Sequence, residues 1–90
     1  MAQVVWTRRA LKDLAAIQAY ISQFNPPAAQ RVAQSLAQAG FTLAEHPERG
    51  RLRADGRREL VTVPPYIIRY RVRGEHVEIL TVRHGARRPT

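Results

Sequence analysis

Apolar residues in the first half of the chain repeat at helical spacing. The short β-prone run Gln3–Trp6 is followed by Thr7, whose hydroxyl can cap a helix, and the pattern predicts a helix from about Arg8 to Gln23. The residues of its predicted apolar face are three and four positions apart: Leu11, Leu14, Ile17, Ile21 and Phe24.

A second helix is predicted directly after Asn25-Pro26, because asparagine can cap a helix and proline fits its first turn. Its apolar stripe is rich in small residues: Ala29, Val32, Ala33, Leu36, Ala39, Gly40 and Leu43. Since the connection is so short, we expect the two helices to form an antiparallel hairpin. The small residues of the second helix allow the hairpin to pack closely on the layer beneath it.

Alternating apolar and polar residues replace the helical spacing in the second half, after a loop at His46–Arg51. The predicted strands are Arg58–Val63, Tyr66–Arg73 and His76–Arg83. Pro64-Pro65 ends the first of them, and Gly74-Glu75 forms a hairpin turn between the others. The order β-α-α-β-β-β predicts one α+β domain over residues 1–90, with the helical hairpin packed on a mainly antiparallel sheet.

One face of the strand Tyr66–Arg73 is predicted to be basic. Period-two alternation places Arg69, Arg71 and Arg73 with Ile67 on this face, whereas Ile68, Tyr70 and Val72 point towards the helices. The basic face is either an ordinary solvated surface or a docking surface for an acidic partner or a target.

Arginine dominates the charge of the chain. Lys and Arg number 15 against 7 acidic residues, for a net charge of +8, and Lys12 is the only lysine. Arginine forms bidentate contacts with phosphate and carboxylate, so the composition favours a polyanionic partner, either nucleic acid or an acidic protein segment. A GC-rich coding sequence, which raises arginine and alanine usage together, is the alternative explanation.

Several classes of site are not expected. The chain has no cysteine, and His46 and His76 have no cluster of carboxylates near them in the sequence, so we expect neither a metal site nor a cofactor. No segment approaches the roughly 18 apolar residues of a membrane span, and the N-terminal residues lack the pattern of a secretory signal. We therefore expect a cytoplasmic protein without membrane contact.

The order and spacing of these motifs resemble the RelE/ParE superfamily of toxins from bacterial type II toxin–antitoxin systems. The matching residues include Trp6-Thr7, Ala10, Asp13-Leu14, Ile17, Tyr20-Ile21, Asn25–Ala29, Leu43, His46-Pro47, Gly50-Arg51, Arg58–Leu60, Pro65-Tyr66, Tyr70–Val72 and Arg83–Gly85. The resemblance implies a RelE/ParE-like fold and a cognate antitoxin, which in this superfamily wraps the toxin with a helix and an extended segment.

The superfamily has two main branches, which the resemblance allows us to compare. RelE-like members cleave messenger RNA on the ribosome, whereas ParE-like plasmid-stabilisation toxins poison DNA gyrase. Where RelE-like enzymes carry an arginine early in the penultimate strand, this chain has Ile67; the stretch Gly50–Arg53 lacks the glutamate of some members, and the C-terminal residues include no tyrosine. The resemblance therefore implies a ParE-like toxin without catalytic residues, with gyrase as its target.

The residues expected to bind the target or partner are Arg58, Arg69, Arg71, Arg83, His84, Arg87 and Arg88. The segment His84–Arg88 resembles the C-terminal tail of ParE-type toxins. Two other hypotheses stay open: a ribosome-dependent ribonuclease with an atypical site around Arg69, Arg83 and His84, and a basic module that binds nucleic acid directly. Glu59 is expected to form an ion pair with a neighbouring arginine, and Trp6 to belong to the core.

Overall fold

The computed structural model describes residues 1–85. Its elements in chain order are β1 (Gln3–Trp6), α1 (Arg8–Ser22), α2 (Pro26–Phe41), a 3₁₀ turn (Thr42–Ala44), β2 (Arg51–Leu52), β3 (Arg58–Val63), β4 (Tyr66–Arg73) and β5 (His76–His84). The α+β class and the helical hairpin are confirmed. The strand β2 lies where the sequence predicts a loop, because two residues are too few to show alternation and their pairing is decided by β3.

The five strands form one sheet in the order β1-β5-β4-β3-β2. β1 runs parallel to β5, and the other three pairs are antiparallel, so the predicted mainly antiparallel sheet is confirmed. The two helices carry the chain from β1 to β2 at the opposite edge of the sheet, and the antiparallel strands β2 to β5 then lead back until β5 lies beside β1.

Both predicted helix caps are present. The Thr7 hydroxyl accepts a hydrogen bond from the Ala10 backbone N–H at 3.2 Å, and Asn25 Oδ1 accepts one from the Ala28 N–H at 3.1 Å. The Thr7 hydroxyl also donates to the Ile79 carbonyl at 2.7 Å. Thr7 therefore begins α1 and fixes that end of the helix against β5.

The core lies between the helical hairpin and one face of the sheet. Its buried residues are Ala10, Leu36, Ala39, Leu43, Leu60, Ile68, Tyr70, Val77, Ile79 and Val82. The predicted stripe of α2 faces this core, and Trp6 packs against it while half-buried. None of the helices in the described part of the chain is long and apolar enough to cross a membrane.

Three residues predicted to face the core are exposed instead. Leu11 is 52% exposed because Thr7 holds the first turn of α1 close to β5, where the buried position is taken by the smaller Ala10. Phe24 is 73% exposed because α1 ends at Ser22, before it. Val72 is 41% exposed because β3 begins opposite Tyr70 and leaves Val72 with a neighbouring strand on the β5 side only.

A β-bulge in β5 keeps the core continuous. Tyr70 pairs with Ile79 and Arg69 pairs with Thr81, so Leu80 is an extra residue without a partner on β4. Strict alternation would put Ile79 and Val82 on opposite faces, yet both are buried under the helices.

Candidate functional site

The sheet face that points away from the helices carries three of the seven predicted binding residues: Arg69, Arg71 and Arg83. We call this surface the open face; it is formed by Glu59, Ile67, Arg69, Arg71, Glu78 and Arg83. The register places Glu59 opposite Arg69, and Ile67 opposite Arg83. Alternation along β4 therefore puts arginines on this face, as the sequence predicts.

Glu59 lies at the centre of a group of arginines on the open face. Its carboxylate oxygens are 3.5 Å from Arg83 Nη2, 3.8 Å from Arg53 Nε and 4.0 Å from Arg69 Nε. These four residues are called the Glu59 cluster below. The Glu59 side chain is 15% exposed. The expectation that Glu59 forms an ion pair is confirmed, with three arginines rather than one.

A second carboxylate reaches the Glu59 cluster from the turn between β2 and β3. Asp55 Oδ2 lies 2.7 Å from Arg69 Nη2 and 3.9 Å from Arg57 Nη1. The hydrogen bond from the Arg57 backbone N–H does most to hold the pKa of Asp55 below its usual value; desolvation opposes it, and the positive charges of Arg69 and Arg57 add smaller lowering effects. Asp55 is therefore ionised at neutral pH.

Arg69 has an incompletely bonded guanidinium. Its Nη2 donates to Asp55, but its Nε is buried and has no hydrogen-bond partner among residues 1–85, since Glu59 is 4.0 Å away. Arg71, by contrast, forms a hydrogen-bonded ion pair with Glu78 across β4 and β5, at 2.6 Å. The open face is thus a set of paired charges with an excess of arginine, not a bare basic ridge.

Arg58 lies apart from the other predicted binding residues. It is opposite Tyr70 in the register, and its Nη1 donates to the backbone carbonyls of Glu48, at 3.1 Å, and Gly50, at 2.8 Å. This arginine therefore holds the loop before β2. Within residues 1–85, Arg58 forms no ion pair with the Glu59 cluster, so its predicted role in partner binding gains no support from that cluster.

A cleft of about 430 Å³ opens on the helix side of the sheet, between α1 and the ends of β4 and β5. It is lined by Asp13, Ala16, Ile17, Tyr20, Tyr66, Val82, Arg83 and His84. The rings of Tyr66 and His84 meet edge to face, with centroids 5.5 Å apart. The cleft exists because β1 pairs with β5 only as far as Ile79, so no strand covers the rest of β5 on that side.

Asp13 forms one wall of this cleft and binds the uncovered part of β5. Its Oδ2 accepts a hydrogen bond from the Val82 backbone N–H at 3.0 Å, and its Oδ1 accepts one from Arg9 Nε at 3.1 Å. An edge N–H that would otherwise be unpaired is thereby satisfied by a helix side chain.

The structure separates the predicted site residues into groups. Arg69 and Arg83 meet at Glu59, and Arg71 is nearby on the same face, whereas His84 lines the cleft and Arg58 holds a loop. Arg87 and Arg88 lie outside the described residues. Within residues 1–85, no three His, Asp or Glu side chains come together as metal ligands.

Two members of the charged site were missed by the sequence analysis. Arg53 and Asp55 lie in a turn, where no periodic pattern indicates the direction of a side chain, and they reach Glu59 and Arg69 because β3 pairs with β2 on one side and with β4 on the other. The turn signal Asp55-Gly56 predicts a bend but not its contacts.

The family match and the curated relatives of this chain agree that it is similar to toxins. Residues 4–89 match the family described as the ParE toxin of type II toxin-antitoxin system, parDE. Toxin RelE2 of Caulobacter vibrioides is 61% identical, over 97% of this chain and 99% of that protein. Putative toxin Y4kP of Sinorhizobium fredii is 48% identical, over 92% of this chain and 88% of that protein.

Structural comparison supports the same assignment. A chain of the chromosomal ParDE TA system from P. aeruginosa superposes with a TM-score of 0.85 at 27% sequence identity, covering 93% of this chain and 96% of that one.

Proposed function

Because the chain belongs to the ParE toxin family of type II toxin–antitoxin systems, we propose that it inhibits DNA gyrase and is neutralised by a co-encoded antitoxin. The proposal depends mainly on Ile67, which lies on the open face opposite Arg83. RelE-like nucleases have an arginine there, and isoleucine cannot stabilise the negative charge that develops on a phosphate during RNA cleavage.

The arginines that remain on the open face also support binding over catalysis. Arg69 and Arg83 are both engaged by the Glu59 carboxylate, and Asp55 takes a further bond from Arg69. A cation that already neutralises a carboxylate stabilises an additional anionic charge less than a free cation would. These arginines are better suited to contact a protein surface than to act on a transition state.

The α1–β5 cleft supports the antitoxin as a partner. It combines a cavity of about 430 Å³ with a stretch of β5 beyond the end of β1, and such a combination suits a partner segment whose side chains enter the cleft beside the strand. The P. aeruginosa structure is described as a ParDE system, which is consistent with a toxin that works with an antitoxin.

A gyrase assay tests the proposed target. Purified toxin at micromolar concentration is expected to reduce supercoiling and to accumulate cleaved DNA, and prior addition of the protein encoded next to it should prevent both effects. We expect Arg83→Gln and His84→Ala to weaken the inhibition. Arg31→Gln, which removes the same charge from an exposed position of α2, should leave it unchanged.

A ribosome-dependent ribonuclease is the second candidate, favoured by the name of the relative that is 61% identical, toxin RelE2. Unchanged gyrase activity together with cuts at specific codons of translated messages, lost in Arg69→Gln and His84→Ala, would replace the gyrase proposal with this one. Unchanged gyrase and intact messages during growth arrest would contradict both.

A further inference from the structure

We propose that the open face binds an acidic segment of the antitoxin, rich in Asp and Glu, and that Asp55 competes with this segment for Arg69. The identity of the partner rests on the proposed function. The competition itself is inferred from the charges and distances of the Glu59 cluster and the turn that carries Asp55.

The charges on this part of the open face do not balance. Four arginines, Arg53, Arg57, Arg69 and Arg83, form their ion pairs with two carboxylates, those of Glu59 and Asp55. The four arginine side chains are between 31% and 48% exposed, so a ligand can reach them. The excess of positive charge attracts an anionic group to this surface.

The distances show that the guanidinium groups keep unused bonding capacity. A charge-assisted N–H···O bond is typically about 2.7–2.9 Å long. The contacts of Glu59 with Arg53, Arg69 and Arg83 are 3.8, 4.0 and 3.5 Å, and the Arg69 Nε has no hydrogen-bond partner among residues 1–85. A further carboxylate can therefore bond to Arg53, Arg83 or the Nε of Arg69 at the expense of long contacts with Glu59 alone, whereas the Nη2 of Arg69 is reached only by displacing Asp55.

Both anionic groups that the chain itself places among these arginines are carboxylates. Asp55 makes the shortest contact with Arg69, at 2.7 Å, and occupies one of the directions from which a partner's carboxylate would approach. The planar guanidinium matches the planar carboxylate in size and bonding geometry. Phosphate fits the same guanidinium groups, so the choice of an acidic protein segment over a nucleic acid rests on the proposed function, in which the partner is an antitoxin protein.

Asp55 is held in place but can be replaced. The turn is closed by bonds from Arg53 N–H to the Arg57 carbonyl, at 2.7 Å, and from Gly56 N–H to the Arg53 carbonyl, at 3.0 Å, and Gly56 adopts a φ of 84°. The Asp55 side chain is 42% exposed, and exposed ion pairs are weak. A partner that supplies several carboxylates can therefore displace it from Arg69.

Calorimetric titration of the full chain at low ionic strength tests the competition. The probe is a short peptide of alternating glutamate and alanine, and a DNA single strand with the same number of charges is titrated in parallel. Asp55→Asn is expected to tighten peptide binding about two- to fivefold, the range that one exposed ion pair supports. Arg69→Gln should weaken it.

Matched variants separate the competition from net charge. Glu45→Gln changes the charge as Asp55→Asn does, at an exposed position after α2, and Arg31→Gln matches Arg69→Gln. Peptide binding that responds equally to Asp55→Asn and Glu45→Gln would overturn the proposal. The proposal would also be overturned if Asp55→Asn and Arg69→Gln changed the binding of the DNA strand but not that of the peptide. Thermal melting confirms that each variant is folded.

This titration is independent of the gyrase assay. If gyrase is inhibited but Asp55→Asn has no specific effect on peptide binding, the competition is wrong and the target stands. If the peptide titration behaves as expected but gyrase is unaffected, the acidic-segment site stands and the target is wrong.

Discussion

The Tyr70 hydroxyl is 2.7 Å from the backbone N–H of Gly50 and accepts its hydrogen bond, while it donates to the Pro47 carbonyl, also at 2.7 Å. A Cβ atom on Gly50 would lie 2.6 Å from this tyrosine, so the loop and the ring are in close contact. One buried side chain on β4 thus holds the loop that precedes β2, and with it the carbonyl that receives Arg58.

Tyr70→Phe is expected to lower the free energy of unfolding by about 1–3 kcal/mol, because it leaves the buried Gly50 N–H and the Pro47 carbonyl without their partner. Urea denaturation measures the change. Tyr66→Phe is the control, since its hydroxyl forms no hydrogen bond within residues 1–85, and equal losses in the two variants would contradict the role of the Tyr70 hydroxyl.

Alkaline pH should destabilise the protein through Tyr70. Burial raises the pKa of Tyr70 above its ordinary value of 10.0, so the folded state keeps this proton at a pH at which the unfolded chain releases it. Its contribution is fully present below pH 10.0 and is lost as the pH rises through the folded-state pKa. The stability difference between wild type and Tyr70→Phe should therefore narrow as the pH rises above 10.0. A difference that stays constant above this pH would be inconsistent with a raised pKa.

Gly40→Ala is expected to destabilise the helix–sheet contact. The added Cβ would lie 2.5 Å from Trp6 Cζ2 and 2.8 Å from Ile79 Cδ1, and the tryptophan ring cannot move without disturbing β1. Overpacking costs about 1–3 kcal/mol and exceeds the gain of up to about 1 kcal/mol from the better helix propensity of alanine.

Chemical denaturation of Gly40→Ala beside Ser35→Ala distinguishes these two effects. Ser35 is exposed on the same helix, so its substitution changes propensity without steric conflict. A Gly40→Ala protein as stable as Ser35→Ala would show that α2 is not packed as closely on Trp6 as the distances indicate.

Asp13→Ala should cost about 1–3 kcal/mol, because the Val82 N–H loses its acceptor on the side of β5 that β1 no longer covers. Arg9→Ala removes only the exposed partner of the same carboxylate, so its expected cost is about 0.5 kcal/mol or less. Hydrogen exchange provides a second measurement: the Val82 amide should exchange faster in Asp13→Ala but not in Arg9→Ala. Equal exchange rates in the two variants would mean that the bond to β5 does not protect the strand.

The sequence by itself determined the elements and most of the core. The helical spacing, the caps Thr7 and Asn25, and the alternation in β4 and β5 are local features, because each depends on residues within a few positions of one another. The face of β4 that carries Arg69 and Arg71 follows from the same alternation. The same alternation showed that Ile67 stands where RelE-like enzymes carry an arginine, because its position within the strand can be counted from the sequence.

The tertiary structure alone decided which charges meet and which strand ends are covered. Glu59 contacts Arg83 across 24 positions of sequence, and Asp13 accepts from Val82 across 69, distances over which no periodic pattern acts. The bulge at Leu80 and the early end of β1 depend on how the strands pair. Asp55 reaches Arg69 from the turn between β2 and β3, and the two residues are neighbours because β3 pairs with β4.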